Sequence, residues 1–526
     1  SLVFRWSWLL SSNWLFLKTR EWVLFFSVSL CSFAPLLSSA QTPNLLLHKF
    51  RLHLVSEPTT LAPYPQKNSS NGYFLGQIYA SLLDYENGEL VGDLARECFY
   101  RKPTVLECDL RPGLKWSDGS PLTGQHFVKA FQEFVSEENH AFRADLLFPV
   151  LNAEKIYKGE KKPSSLGVKF KGNRLTFTLH KPDTEFIYHL TSGLLTPIPP
   201  GEFPEKAHAS TAVTSGPYMI ESWVSGEKIV LKPNMRYWQA NPDRPRIELF
   251  FVSEDTVALN LYQKGELEFL RRLPTLFIPQ WRGKPDYHEI EQFRFDYIGF
   301  GEKMRDQKDL RRSIAQSLDY SELQELFYAK PRPGCPGIPK YLREKDLCLN
   351  FVKPKTALVK DSTLPAITYA YSKQGGDDHD RSAEWLQSQL RTNLGLSISL
   401  KSLENKIFLQ QLQETGFEMF RKGVGPERPT CLSALEIFTP GNPENFLKLN
   451  DPVYTAIVEQ LRAEGKADKR KRLCDQGLDY LLSNSLLIPT GPIFFTLLVK
   501  SDWQGWRLND LNHLNLSMLK KISSKK

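Results

Sequence analysis

The chain has 526 residues, 41% of them hydrophobic and 24% charged, with 67 Lys and Arg against 59 Asp and Glu for a net charge of +8. That composition excludes a collagenous, low-complexity or intrinsically disordered chain, and the length exceeds what one hydrophobic core supports, so two or three domains are expected. The cations are scattered apart from Lys466-Ala-Asp-Lys-Arg-Lys-Arg472, which reads as a solvated helix face; no aromatic platform accompanies it, so nucleic acid is not an expected partner.

Near the N-terminus, Lys18-Thr-Arg20 precedes the apolar run Trp22 to Leu30, and small residues close it at Ser38-Ser39-Ala40. These are the charged, apolar and small-residue regions of a secretory signal, with cleavage expected after Ala40. A permanent membrane anchor is the rival reading, against which Pro35 and the serines leave the run short for a full span. Cys31 follows Leu30 and not a small residue, which argues against a lipid attachment site. Residues 1–16 are expected to precede the true start. Removing residues 1–40 lowers the net charge to +6 and leaves six of the seven cysteines, in a compartment that permits disulfides.

Phe50 to Val55 alternates as a strand and breaks at Ser56-Glu-Pro58. Cys98 and Cys108 sit symmetrically about Pro103, which places them opposite one another if the segment folds as a hairpin, and they are candidates for a disulfide. Cys335 and Cys348 are a second candidate pair across a Pro/Gly-rich loop, whereas Cys431 and Cys474 are expected to be free and buried. Next, Arg111-Pro-Gly-Leu-Lys-Trp-Ser-Asp-Gly-Ser120 reads as a strand end and a tight turn. Thr123 is the expected N-cap of a helix carrying Phe127, Phe131 and Phe134 on one face. Val168 to Leu179 reads as a hairpin turning at Gly172-Asn173. Thr214-Ser-Gly-Pro-Tyr218, the alternating Lys228-Ile-Val-Leu231 and Asn234-Met-Arg-Tyr-Trp238 follow as strand, turn, strand and aromatic edge.

Further on, Asp309 to Leu318 has helical periodicity, Ile367 to Tyr371 alternates, and a helix burying Ala383, Leu386, Leu390 and Leu394 should stop at Gly395 before a strand over 396–400. Leu486 to Pro489 and an apolar strand from Ile493 to Val499 complete the expected elements.

In order, the Trp116-Ser-Asp-Gly119 turn with its helix, the Gly-Pro-Tyr218 block and the Asn-x-x-Tyr-Trp238 block resemble the signatures of family 5 extracellular solute-binding proteins, the oligopeptide, dipeptide and nickel receptors of ABC importers. The resemblance spans about residues 47 to 520. It implies a mixed α/β fold of the type II periplasmic-binding-protein kind, two-lobed and hinged, with three domains and a discontinuous first domain. On that pattern, 1–40 is upstream sequence and signal, 41–72, 196–295 and 488–526 form the first domain, 73–195 the inserted second and 296–487 the third. The implied function is capture of a peptide-like solute between the lobes and delivery to an ABC permease, by a periplasmic monomer without cofactor or metal. A receptor for a non-peptide solute and a non-transport sensor remain alternatives, and a peptide hydrolase is the enzymatic one.

Local catalytic motifs are absent: no G-x-S-x-G, no P-loop, and His288-Glu-Ile-Glu-Gln292 lacks the second metal histidine, so an enzyme is not expected. Candidate ligand residues come from the resemblance. Peptide-binding relatives carry Gly-Trp-x-x-Asp-Tyr on a cleft strand, and this chain reads Gly423-Val-Gly-Pro-Glu-Arg428. Glu427 stands near the ammonium-binding Asp, Val424 replaces the Trp, Arg428 replaces the Tyr, and Pro426 removes a backbone donor. Gly425 and Arg428 are counted with Glu427 at the cleft. Arg421 is the candidate partner of a ligand carboxylate, with a structural ion pair as the alternative. His379, Phe142 and the Ser56-Glu57-Pro58 strand end are further expected wall positions.

Overall fold

The computed structural model describes residues 48–64, 69–86, 88–139, 141, 143–201, 203–327, 366–373, 377–426 and 428–522. The expected signal region, Phe142, Cys335, Cys348 and Glu427 lie outside the described residues. Among the described residues, no helix is long and apolar enough to cross a membrane.

Strand β1 (Lys49–Leu54) buries Phe50, Leu52 and Leu54 on one face, while the other runs from the exposed Lys49 through the half-buried Arg51 to the enclosed His53. The chain then builds a separate unit from β2 (Ala95–Lys102), β3 (Val105–Leu110), helix α1 (Gly124–Phe134), β4 (Val168–Lys171) and β5 (Arg174–Thr178), whose sheet order is β2-β3-β5-β4. Asp118 accepts the Ser120 N–H at 2.8 Å, and Gly119 takes φ +94°, which an L side chain rarely adopts, so the Trp-Ser-Asp-Gly turn closes as the residue types require. Thr123 caps α1 through a reciprocal pairing with His126, and Phe127, Phe131 and Phe134 are all buried against the sheet. Cys98 lies directly opposite Cys108 across β2 and β3, with Cα atoms 4.1 Å apart, and the two sulfurs are bonded. Helix α2 (Phe186–His189) closes this unit, with Phe186 in its core.

The first turn hooks onto the Gly-Pro-Tyr block. Ser117 donates its N–H to the Thr214 carbonyl, and Thr214 N–H returns a bond to Ser117 Oγ, both at 2.9 Å. From there run β6 (Tyr218–Val224), β7 (Lys228–Pro233), β8 (Arg246–Phe251) and the short β9 (Phe269–Leu270). Then come β10 (Tyr287–Phe300), α3 (Lys308–Gln316), β11 (Ile367–Ser372), α4 (Asp377–Leu394), β12 (Ile398–Leu403) and β13 (Met419–Val424). Helices α5 (Cys431–Leu435), α6 (Pro452–Ala463) and α7 (Ala467–Ser483) precede the return strand β14 (Leu487–Val499).

A mixed ten-stranded sheet, ordered β12-β11-β13-β10-β14-β9-β1-β8-β7-β6, runs through the molecule. Its β1–β8 and β11–β12 pairs are parallel, and the long β10–β14 pair is antiparallel. The buried side chains do not merge into one core. One set surrounds β1 and β6–β8, and another packs β10 and β13 on α5–α7. A third lies between β11 and α4. Only β10 and β14 join the two ends of the large sheet at length. Their register shifts between Glu291 and Phe295, where the bulged Phe293 N–H bonds Asp510 O at 2.7 Å instead of its sheet neighbour.

Three expectations need correction. Leu486–Pro489 and Ile493–Val499 are not separate pieces; one strand, β14, runs through Pro489 and Pro492 because the bulge absorbs their missing donors. The strand after Gly395 is β12, starting at Ile398, because Leu396 N–H is still bonded back to Leu390 O as part of the helix cap. Cys431 and Cys474 are not free. They are bonded to each other, because α5 packs on α7 and brings Cα atoms 43 positions apart in sequence to 6.0 Å.

Candidate functional site

Two neighbouring strands generate the site. In the β10–β13 register Asp296 faces Gly423 and Ile298 faces Arg421. The two-residue period of a strand therefore sets Arg294 and Asp296 of β10 on one sheet face with Arg421, Gly423 and Gly425. Arg421 Nη2 makes an ion pair with Asp296 Oδ2. Gly423 leaves room for the two charged ends, since a Cβ there would come within 2.7 Å of both Arg294 Nη2 and Asp296 Oδ1 and displace them. Arg294 sits in the bulge, where the strand is re-aimed.

The cations on this face are poorly solvated. Arg294 is exposed to solvent, yet surrounding protein pushes its pKa down from the usual arginine range. Burial, reinforced by the like charge of Arg294, also depresses Arg421. A guanidinium does not lose its proton in a protein, so the depression measures how poorly this cation is solvated and how strongly an added anion would be received. Asp296 Oδ1 is buried with no hydrogen-bond partner among the described residues, leaving an acceptor aimed into the same space. Lys422 points to the opposite face, 5.1 Å over the Phe446 ring, with its pKa lowered by burial.

His379 lies in the first turn of α4, where its Nδ1 donates to Ser372 O at 2.6 Å and leaves Nε2 as an acceptor. Burial lowers its pKa; the Ser372 carbonyl and Asp378 oppose the shift, while Arg272 and Arg294 add to it, so His379 belongs to the field of this cation cluster. The neighbouring Asp378 accepts from Thr275 Oγ1 at 2.7 Å and tethers α4 to the segment after β9.

Other expected residues are committed elsewhere. Glu57 accepts from Lys206 Nζ at 3.0 Å, Trp223 Nε1 at 2.9 Å, Ser225 Oγ at 3.0 Å and Gly226 N at 3.1 Å. Burial alone would raise its pKa, but those four donors outweigh it and hold the carboxyl at about 2. Glu57 thus braces the end of β1, with Ser56 exposed and Pro58 buried beside it. Val424 is 1% exposed and Pro426 is buried, so neither presents a side chain to a ligand. Arg428 is buried in an ion cluster with Glu185 and Glu436 and is not an open cleft residue. Sequence reasoning missed Arg294 and Asp296. Their signal was an arginine and an aspartate two apart inside the apolar Phe293–Ile298 run, charges that a buried strand does not carry without a purpose.

The family model for the bacterial extracellular solute-binding proteins, family 5, matches residues 89–446. The dipeptide-binding protein DppE of Bacillus subtilis is 22% identical over 409 residues, covering 72% of this chain and 74% of its own length. A probable deoxycholate-binding periplasmic protein, YgiS of Escherichia coli, is 24% identical over 517 residues, with 91% and 94% covered. The Haemophilus influenzae OppA structure, in complex with the peptide RPPGFSPFR, superposes with a TM-score of 0.73 at 18% identity, covering 90% of this chain and 99% of that one.

Proposed function

The chain belongs to the bacterial extracellular solute-binding proteins of family 5, and from that premise we propose that it binds a peptide-like solute with a free carboxylate in the recess between its lobes and passes it to an ABC permease. The carrying observation is the Arg421–Asp296 ion pair on a face where the like charge of Arg294 acts on both Arg421 and His379. In this reading Arg421 holds the carboxylate, Arg294 guides it from the solvent side, and Asp296 Oδ1 accepts a ligand N–H. The OppA complex with a bound peptide supports the peptide class. The leader over residues 18–40 and a periplasmic location belong to the same proposal, as does division of the lobes near 295 and 487. No catalytic role is assigned to any residue.

A second reading, an anionic non-peptide solute, is favoured by the buried Val424, the donor-less Pro426 and the internally paired Arg428. The relative named for deoxycholate binding is consistent with it. Native mass spectrometry of the full chain, exported to a bacterial periplasm and purified without denaturant, separates the two. Peptides released on denaturation, and lost in Arg421→Ala, support the first reading. A steroid-like or other non-peptide mass, together with a peptide library that leaves the melting temperature unchanged, would replace it with the second.

A further inference from the structure

In a hinged two-lobed protein the ligand is ordinarily what bridges the lobes. Here the chain carries a bridge of its own. Glu185 and His189 flank α2 and belong to the unit built on β2–β5, whose core includes Phe186 and Leu190. Arg428 and Arg470 belong to the opposite side, whose core includes Leu432, Leu435 and Leu478.

These four side chains interlock. Arg428 donates from Nε to Glu185 Oε2 at 3.2 Å, from Nη1 to His189 Nε2 at 2.6 Å, and from Nη2 to Glu436 Oε1 at 2.6 Å. Arg470 Nη2 pairs with Glu185 Oε1, and Thr430 Oγ1 donates to Glu185 Oε2 at 2.5 Å. His189 Nδ1 lies 2.6 Å from Leu146 O, so its proton is there and Nε2 is free to accept from Arg428; the ring is neutral. Burial and the adjacent Arg428 charge both push its pKa down, in keeping with that tautomer. Glu185, Arg428 and His189 are 3%, 6% and 5% exposed, so opening the lobes would hydrate all of them.

The two arginines are also pre-positioned. Arg470 is held on its own side by the Leu461 and Glu464 carbonyls at 2.9 and 3.0 Å. The Cys431–Cys474 disulfide joins the segments carrying Arg428 and Arg470, only three and four residues from them. Arg428 follows β13 directly, seven residues after Arg421, so the ligand face and this seam share one continuous segment.

We propose that Arg428, Arg470 and Glu185, with neutral His189, form a ligand-independent latch that holds the two lobes closed in the resting protein. It rests on the two-lobed fold and not on the identity of the solute. These bonds exist only with the lobes closed, and loss of one partner leaves the others buried without counter-charge, a cost that the closed state alone bears. The latch therefore sets the lobes' closed register, and a solute must enter through transient opening.

The reporter is a second pair on the same seam. Lys181 Nζ and Glu459 Oε2 lie 3.8 Å apart and both side chains are about half exposed, so a carbodiimide can join them as an amide. In the unliganded full chain, the Lys181–Glu459 cross-linked peptide should form readily and should fall about tenfold in Glu185→Gln. The double variant Glu185→Gln/Arg470→Gln restores charge balance but not the ion pairs across the seam, so its yield should stay low. Thermal unfolding of each variant reports whether the fold is intact. An unchanged yield in Glu185→Gln, or a full return to the wild-type yield in the double variant, overturns the latch. Neither outcome touches the solute assignment, which Arg421→Ala tests separately.

Discussion

Arg421 is a poorly solvated cation, paired with Asp296 and set under the like charge of Arg294. An incoming carboxylate adds counter-charge, and a charge-assisted bond of this kind contributes about 2 kcal/mol. Arg421→Ala should therefore weaken solute binding roughly 30-fold by calorimetry. Gly423→Ala leaves every charge in place but drives a Cβ to within 2.7 Å of Arg294 and Asp296. It should also weaken binding by displacing those two side-chain ends, with little change in stability because both are free to swing aside. Unchanged affinity in that variant would remove Arg294 and Asp296 from the site.

The same scale holds a pH prediction. His53 is fully enclosed in β1, with only the Val252 carbonyl near Nδ1 at 3.3 Å and no partner for Nε2. Burial pushes its pKa down to about 4, so the folded protein keeps it neutral. Because the folded value is depressed, this contribution is fully present above about pH 6.5 and is lost as pH falls toward 4, on the order of 3 kcal/mol in all. Unfolding free energy measured from pH 7 to 4 should decline, and His53→Gln should flatten the decline. Glu57 acts in a lower window: its carboxyl, held at about 2, loses its stabilising bonds only as pH falls from the ordinary glutamate range toward 2.

At the scale of elements, α1 shows how local pattern and packing agree. Its capping residue, its turn and its phenylalanine face all point to one placement, and Phe127→Ala should cost about 3 to 5 kcal/mol, read in the denaturation midpoint of the four-stranded unit. The α5–α7 pair shows the opposite. Nothing in the local spacing of Cys431 and Cys474 announces a bond across 43 residues; the packing of two helices does. Replacing both by serine should lower stability on the order of 3 to 4 kcal/mol, seen as a lower melting temperature that reducing agent no longer affects in that region. The β10–β14 pair is the third case. Its register shifts between Glu291 and Phe295, and there Phe293 N–H bonds Asp510 O, so the partner of this strand segment is set by a residue more than 200 positions away.

On the scale of the whole molecule, one ten-stranded sheet runs through the chain while its buried side chains gather into separate cores. The proposed site draws its charge from one side of β10 and β13, and beyond it the Arg428–Glu185 ion pair bridges the segment after β13 to the unit built on β2–β5. Affinity in such a protein is set by the ligand contacts and also by the fraction of molecules in the binding-competent state.

How much of this was legible beforehand follows from the range of the interactions. Turn residues, caps and apolar periodicity act over a few positions, so the Ser117–Ser120 turn, α1, the Cys98–Cys108 hairpin and α4 could be read from the amino-acid order. Motif blocks in the right order carried the family as well. The site was less legible: Arg421 and His379 were singled out, but Arg294 and Asp296 join them only because of β10–β13 register. Glu57 and Arg428, candidates by position, proved to be bound to Lys206, Trp223, Glu185 and Glu436. A charged side chain's partner is decided across hundreds of residues by how elements stack. The sequence by itself determined the elements and the architecture they belong to; only the tertiary structure decided which charges share the β10–β13 face, which bridge to the β2–β5 unit and which merely brace a strand, because Coulomb interactions depend on distance and burial in space and not on position in the chain.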